Sequence, residues 1–197
     1  AHMLDAGPLR RRIYEWGLRI GHSVNVGRLD GKPVPLRHRL LFPLAEAVVL
    51  RPLRDQLGLT RVRIAACGGA TMAPDVFRMF HAIGVPLRNI YGSTETGLLT
   101  CHQGERFDLE TVGRWMESLP ALNAPLQWRV SEVGELQVRG VSPFLGYYRR
   151  EGSVESKLQD GWFQTGDAVT KTERGEFVFL ERLSDLKCLC SGESFLL

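Results

Sequence analysis

The spacing of apolar and polar residues divides the chain into a helical stretch, a strand–helix–strand stretch and a series of short strands. Residues 8–20 predict an amphipathic helix beginning at Pro8, because apolar residues recur on one face: Leu9, Ile13, Trp16 and Ile20. The other face is basic and carries Arg10, Arg11, Arg12 and Arg19. We expect this helix to pack on the core, which is the commoner case, with weak peripheral contact to an anionic membrane as the alternative.

A second helical segment is predicted after a loop at residues 27–35. It spans residues 39–57, is interrupted by Pro43 and Pro52, and ends at Gly58. The chain therefore opens with helices that precede its first strand.

A regular alternation of strand and helix follows. Residues 62–66 predict a strand, residues 74–83 a helix with proline in its first turn, and residues 85–90 a second strand. A βαβ unit places its two strands parallel. The glycine turn Cys67-Gly68-Gly69-Ala70-Thr71 and the loop after the second strand should then emerge at the same sheet edge, where open α/β sheets bind ligands.

Short strands and turns dominate after about residue 105. Residues 127–130 and 135–139 predict one hairpin, and residues 168–172 and 176–180 predict another, with a helical turn at 153–158 between them. The fold class predicted is thus α/β, with a parallel βαβ portion followed by a small antiparallel β-subdomain.

The composition is that of an ordinary globular domain and does not indicate a function. The chain has 197 residues, is 44% hydrophobic and 24% charged, and carries a net charge of +3, as ordinary water-soluble domains do. Twenty-five basic against 22 acidic residues give no case for nucleic-acid binding. The spacing of the four cysteines demands no disulfide, and the sequence has no signal peptide or membrane-spanning run, so we expect a cytoplasmic protein with free thiols: Cys67, Cys101, Cys188 and Cys190.

The stretch after Ile90 has the residue types that bind phosphate and magnesium. It is predicted to be a loop that presents one carboxylate, Glu95, between glycines and among three hydroxyls: Ser93, Thr94 and Thr96. Hydroxyls and backbone N–H groups suit phosphate oxygens, a lone carboxylate suits Mg²⁺, and glycine lets a ligand approach the backbone. A polar strand-to-helix turn is the alternative.

A second candidate is the carboxylate of Asp167, which follows the turn residue Gly166. A carboxylate can accept hydrogen bonds from two adjacent hydroxyls, such as those of a ribose. The alternative is an aspartate that caps its own turn.

Taken together, these motifs resemble the adenylate-forming superfamily, which includes acyl-CoA synthetases, peptide-synthetase adenylation domains and luciferases. The matching blocks, in chain order, are Gly68-Gly69-Ala70, Tyr91-Gly92-Ser93-Thr94-Glu95, Gly134-Glu135-Leu136-x-Val138-Arg139-Gly140, Gly146-Tyr147-Tyr148, Gly161-Trp162-Phe163-x-Thr165-Gly166-Asp167, and Arg182 with Asp185. The Pro8–Leu57 region and the ending Leu189-x-x-Gly192-Glu193 look most like long-chain fatty acyl-CoA synthetases.

The resemblance implies roles for these residues. Glu95 would bind Mg²⁺, and Thr94 the ATP phosphates, which makes these two the catalytic candidates. Asp167, assisted by Arg182, would hold the ribose. The remaining nucleotide-binding candidates would line the adenine and phosphates: Gly68, Gly69, Ala70, Tyr91, Gly92 and Ser93.

The implied reaction uses ATP, Mg²⁺ and CoA with a long-chain fatty acid. The acid would form acyl-AMP and pyrophosphate, and the CoA thiol would then displace AMP. A non-catalytic nucleotide-binding module, or a ligase for another acid, remains open.

Two elements of the superfamily have no counterpart among these residues. They are the Ser/Thr/Gly-rich phosphate loop and the small C-terminal domain with its lysine, so we expect an internal fragment that is inactive alone. In the linker, Ser184 stands where an Asp or Lys is usual, and Cys188 where a Lys is expected. The expected divisions are a cloning remnant at 1–3, an α/β part at 4–105, a β-rich part at 106–181, and the start of an interdomain linker at 182–197.

Overall fold

The computed structural model describes residues 7–69, 72–116, 126–140, 146–149 and 155–185. The chain divides into two compact units, the first comprising Ala1–Asn89 with Gln103–Leu109 and the second Ile90–His102 with Glu110–Leu197. Residues 90–102, which include all of residues 91–97, therefore group with the β-rich residues, whereas the sequence-based boundaries placed them in the α/β part.

The first unit opens with the predicted helix, which is confirmed and longer than expected. Helix α1 spans Pro8–Gly21 and continues without a break through a π-helical segment, His22–Val26, into α2, Gly27–Leu29. The predicted loop at residues 27–35 is therefore wrong for its first three residues. The chain leaves the helix only at Asp30.

The buried face of α1 differs from the predicted one. Leu9 and Ile13 are 72% and 40% exposed, although Ile20 is buried as expected. The helix packs instead through Gly17 and Gly21, where an added Cβ would lie 2.6 Å from Val49 Cβ and 2.4 Å from the Ala82 carbonyl oxygen, respectively. Large apolar residues alone did not mark this face, because glycine creates close packing by having no side chain.

The second helical segment is also confirmed, and it begins earlier than predicted. It comprises α3, Leu36–Ala45, a π-helical segment, Glu46–Leu50, and α4, Arg51–Gln56. Pro43 lies inside α3 and Pro52 in the first turn of α4, so neither proline breaks the helical path. Gly58 follows with a φ of +72°.

The parallel βαβ unit is confirmed. Strand β1, Ala65–Cys67, pairs in parallel with β2, Leu87–Ser93, and α5, Pro74–Ala82, connects them. Phe77 of α5 is fully buried with Leu29 and Phe107 in one apolar cluster. The expected meeting of the loops that follow β1 and β2 stays a prediction.

The predicted loop after Ile90 is wrong for residues 91–93, which continue β2. A tight turn then leads into the antiparallel strand β3, Gly97–Cys101. The hairpin closes so tightly that a Cβ added to Gly92 would lie 2.0 Å from the carbonyl oxygen of Gly97. Glycine at position 92 therefore serves the close approach of two backbones.

The second unit is built on an antiparallel sheet. Its further elements are β4 Gly113–Trp115, β5 Gln127–Val130, β6 Glu135–Arg139, a 3₁₀ turn Glu155–Lys157, β7 Leu158–Gln159, β8 Trp162–Lys171 and β9 Glu176–Arg182. From β2 the strands run in the order β3, β4, β9, β8, β6 and β5, with the short β7 beside β8. Both predicted hairpins are confirmed, and the strands of the second are longer than expected.

The core of this sheet combines apolar packing with buried polar contacts. Phe177 lies edge-on to Trp128, with ring centroids 4.8 Å apart. The hydroxyl of Thr111 donates to the buried carboxylate of Glu176 at 3.0 Å, and His102 Nε2 lies 2.9 Å from the Thr111 carbonyl oxygen. These hydrogen bonds join residues that flank β3 and β4 to Glu176 at the start of β9. Arg182, at the other end of β9, is the pairing partner of Asp167 on β8.

Candidate functional site

The carboxylate of Asp167 is the centre of the candidate site. It lies on β8, and its side chain is only 4% exposed. Oδ2 accepts a hydrogen bond of 2.6 Å from the hydroxyl of Tyr91 on β2, and Oδ1 lies 3.0 Å from Nε of Arg182 on β9. The structure thus brings together three of the predicted site residues from three separate strands.

Oδ1 of Asp167 retains an unused capacity to accept a hydrogen bond. It is buried and has no hydrogen-bond partner among the described residues, because the contact with Arg182 has the distance of an ion pair without hydrogen-bond geometry. A buried acceptor left unsatisfied costs about 1–3 kcal/mol. A ligand hydroxyl that donated to Oδ1 would remove that cost.

Tyr91 acts as the donor in this pair. Burial raises the pKa of its hydroxyl, and the hydrogen bond to Asp167 and the charge of that carboxylate raise the pKa further. The phenol therefore stays protonated at neutral pH, and it donates its proton in the hydrogen bond to Asp167. The Tyr91 ring lies 5.9 Å from that of Phe179, which leaves the tyrosine packed as well as hydrogen-bonded.

Glu135 positions the turn that carries Asp167. Its buried carboxylate accepts a 2.9 Å hydrogen bond from the N–H of Gly166, whose φ is +75°. Thr165 Oγ1 donates to the carbonyl of Leu136 at 2.7 Å and accepts from the Asp167 N–H at 3.1 Å. The sequence analysis gave Glu135 no role, although its place in the Gly134-Glu135-Leu136 block was the available signal.

Glu95, the predicted metal ligand, lies in the turn between β2 and β3. The hydroxyl of Tyr147 donates to its Oε1. This hydrogen bond lowers the pKa of Glu95 against the opposing effect of burial, and Ser93 and the charge of Lys157 lower it further. Glu95 is therefore ionised at neutral pH. Tyr147 was not predicted as a site residue, although it belongs to the Gly146-Tyr147-Tyr148 block.

The three hydroxyls of this turn separate into two roles. Thr96 is buried, and its Oγ1 lies 3.0 Å from Ser93 Oγ, so this pair closes the turn. Thr94 precedes Glu95 in the turn and is exposed. Of the three hydroxyl residues, Thr94 is thus the most accessible to solvent.

The residues present fit a magnesium ion that is bound jointly with substrate phosphates. Glu95 supplies one ionised carboxylate, and in the described residues no group of three or more His, Cys, Asp or Glu side chains could hold a metal by itself. Mg²⁺ is usually bound by one or two carboxylates and completed by waters and phosphate oxygens. The donor set matches that mode.

The predicted adenine loop belongs to the first unit. Gly68 and Gly69 follow β1 and are exposed, and Gly69 has a φ of +80°. Among the described residues, apart from those next to Gly69 in the chain, no atom lies within 4 Å of the place where its Cβ would stand. Its backbone is thus open to a ligand. Ala70 lies outside the described residues, as do Cys188 and the end of the predicted linker.

Two further expectations concern thiols and membrane spans. Cys67 and Cys101 are free thiols, as predicted. Within the described parts of the chain, no helix combines the length and apolar character needed to cross a bilayer.

The Tyr147–Glu95 hydrogen bond predicts how a single hydroxyl deletion changes a carboxyl pKa. Tyr147→Phe should raise the pKa of Glu95 toward its ordinary value, measured by NMR titration of the side-chain carboxyl. Because the folded pKa of Glu95 is lowered, its stabilisation is present at neutral pH and is lost as pH falls through that pKa, below 4.5. Tyr147→Phe should therefore cost less than about 1 kcal/mol at neutral pH after solvent screening, and nothing in strong acid.

The matched control is Tyr148→Phe, which removes the same atom from the exposed neighbouring residue. It should leave both the Glu95 titration and the free energy of unfolding unchanged. An equal shift of the Glu95 pKa in both variants would contradict the assignment.

The comparisons with known proteins agree with the motif-based resemblance. The family model described as AMP-binding enzyme matches residues 34–148, which is more than half of the chain. The rat long-chain-fatty-acid–CoA ligase ACSBG2 is 25% identical over 193 residues, covering 94% of this chain and 27% of the rat protein. Long chain acyl-CoA synthetase 1 of Arabidopsis thaliana is 30% identical over 174 residues, covering 79% of this chain and 25% of the plant protein.

A solved structure shares the fold. O-succinylbenzoate coenzyme A synthetase (MenE) from Bacillus subtilis, in complex with ATP and magnesium ion, matches with a TM-score of 0.53 and 26% identity, over 68% of this chain and 29% of that chain. This chain spans about a quarter of the length of the curated relatives that it matches.

Proposed function

We propose, because this chain belongs to the AMP-binding enzyme family, that the complete protein is an ATP-dependent acid–thiol ligase that forms an acyl-AMP and then an acyl-CoA. Its fold is that of adenylate-forming enzymes, as the motifs predicted. The observation that carries the proposal is the buried Asp167 carboxylate, which is held by Tyr91 and Arg182 and keeps one oxygen available.

Asp167 is proposed to hold the ribose of ATP. The unpartnered Oδ1 accepts from one ribose hydroxyl, and Arg182, half-exposed beside it, assists in holding the diol. A hydrogen bond to a charged acceptor contributes about 1.5–3 kcal/mol. Because Tyr91 and Glu135 already hold the carboxylate and its turn, little ordering is required when the nucleotide binds.

The turn at Thr94 and Glu95 is proposed to hold the phosphates and the metal. Magnesium, when bound, neutralises phosphate charge as the carboxylate oxygen of the acid attacks the α-phosphorus and pyrophosphate leaves. Ionised Glu95, oriented by Tyr147, is the metal ligand, and the exposed Thr94 hydroxyl donates to a phosphate oxygen. Ser93 and Gly92 shape the turn, and the backbone of Gly68, Gly69 and Ala70 is proposed to line the adenine.

The acid is proposed to be a long-chain fatty acid, and CoA the thiol. The support is that relatives covering most of this chain are named long-chain acyl-CoA ligases. The likeness to O-succinylbenzoate coenzyme A synthetase favours a second candidate, a ligase for a different carboxylic acid. A cytoplasmic location with weak membrane contact is also proposed, supported by exposed Leu9 and Ile13 on the arginine-rich helix α1.

The choice of acid predicts a pattern of ATP–pyrophosphate exchange in the complete protein. Palmitate should support the fastest exchange in a panel that includes acetate, benzoate and O-succinylbenzoate. If exchange is fastest with an aryl acid, the fatty-acid proposal is wrong and the second candidate, a ligase for a different carboxylic acid, is favoured. Exchange with none of them would contradict the ligase proposal.

The metal role of Glu95 predicts a loss of chemistry without a loss of fold. Glu95→Gln in the complete protein removes the charge and keeps an oxygen that can accept from Tyr147. Acyl-AMP formation, measured as pyrophosphate release, should fall by about a hundredfold or more. The thermal midpoint should stay within about 2 °C, because a loss of well under 1 kcal/mol shifts it by only a few degrees at most.

Glu132→Gln is the control, since Glu132 is an exposed carboxylate in the turn of the β5–β6 hairpin. The Glu132→Gln variant should release pyrophosphate at the rate of the unaltered protein. Near-normal turnover by Glu95→Gln, together with a clearly lower thermal midpoint, would show a turn-stabilising role in place of the metal role.

A further inference from the structure

The first unit contains a basic cleft that the nucleotide motifs do not explain. Its volume is about 530 Å³, and its charged lining consists of Arg28, Lys32, Arg88, Arg106 and Glu105. Arg88 lies near the amino end of β2, whereas the Tyr91–Ser93 motif lies at the carboxyl end of that strand. All residues that line the cleft belong to the first unit.

The cationic side chains that line the cleft outnumber its carboxylates. Four cations line it with one carboxylate. Lys32 pairs with Asp30 at 2.7 Å, whereas neither Arg28 nor Arg106 has an ion pair in the part of the chain that the structure describes. Like charges gathered in a concave surface repel one another and attract an anion.

Apolar packing places these cations. Leu29 and Phe107 share one buried cluster, and each is the next residue after a cleft arginine, Arg28 and Arg106. Gly31, whose φ of +70° favours glycine, lies against Arg106: Nη1 of Arg106 is 3.6 Å from the position of an added Cβ, an ordinary van der Waals distance.

Arg88 is held in place by its own contacts. Its guanidinium lies over the Phe107 ring, 5.2 Å from the centroid, and its Nη2 donates to the Gly104 carbonyl oxygen at 2.8 Å. The cleft is therefore a built feature of the first unit, with one fixed guanidinium and two unpaired ones around an open volume.

We propose that this cleft binds a phosphate-bearing anion, either a free polyphosphate or the phosphorylated headgroup of a lipid. Guanidinium groups match phosphate oxygens in a bidentate geometry, and the presence of three arginines suits more than one phosphate group. A volume of about 530 Å³ exceeds the space that a single phosphate fills. The proposal does not depend on the proposed ligase chemistry.

The test compares two double variants with the same change in net charge. Arg28→Gln/Arg106→Gln removes the two unpaired cations of the cleft. Arg37→Gln/Arg63→Gln removes two exposed arginines of the same unit that do not line it. Binding of tripolyphosphate is measured by calorimetry at about 50 mM salt, where screening is weak. The cleft variant should bind at least about tenfold more weakly, and the control within about twofold of the unaltered protein.

Vesicles separate the two sources of phosphate. Phosphatidylcholine vesicles with and without about 5 mol% of a phosphatidylinositol bisphosphate are sedimented with the same three proteins. Loss of phosphoinositide-dependent sedimentation in the cleft variant alone, with weak binding of tripolyphosphate throughout, assigns the site to a lipid headgroup. Loss of tripolyphosphate binding without vesicle binding assigns it to a free polyphosphate.

Two outcomes would overturn the proposal. One is equal weakening in the cleft and control variants, which would show unspecific charge attraction. The other is the absence of binding to both probes by the unaltered protein. The cleft variant should also melt at or above the temperature of the unaltered protein, because it relieves repulsion. If it melts lower, the single variant Arg106→Gln replaces it in both assays under the same criteria.

Discussion

Burying a carboxylate requires a compensating partner, and the site around Asp167 depends on how that requirement is met. The hydroxyl of Tyr91 satisfies one oxygen, and the guanidinium of Arg182 balances the charge at the other. These contacts join residues that are distant in sequence, so the nucleotide motifs become neighbours only when the sheet of the second unit has formed. The same contacts leave one acceptor unused, which is the property that a ribose-binding carboxylate needs.

The sequence blocks act as pairs in the structure. Glu135 of one block holds Gly166 of another, and Tyr147 of a third holds Glu95 in the proposed metal-binding turn. In each pair one residue contacts the proposed ligand and the other positions it. The turn before Asp167 adds little backbone strain, since Gly166 adopts its left-handed conformation at no steric cost. A carboxylate that is already held in place costs little free energy of ordering when a ligand binds to it.

Much of the fold could be predicted because local patterns encode it. The βαβ unit and both hairpins follow from periodicity and turn residues, and the resemblance to the adenylate-forming superfamily implied that Tyr91, Asp167 and Arg182 belong to one site. The exposure of Leu9 and Ile13 could not be predicted, because α1 packs through glycines, which a pattern of large apolar residues does not register. The Tyr147–Glu95 pair was missed for a different reason: it joins residues 52 positions apart, and only the tertiary structure brings them together.

The central claim, that Asp167 holds the ribose, is tested most directly by changing both partners of the proposed hydrogen bond. Binding of AMP and 2′,3′-dideoxy-AMP is measured for the complete protein and for its Asp167→Asn variant, with thermal melts to verify folding. In the unaltered protein, loss of the hydroxyls should weaken binding by about 1.5–3 kcal/mol, whereas in the variant it should have little effect, so the two changes are coupled. Equal weakening by the ligand change in both proteins would contradict the claim.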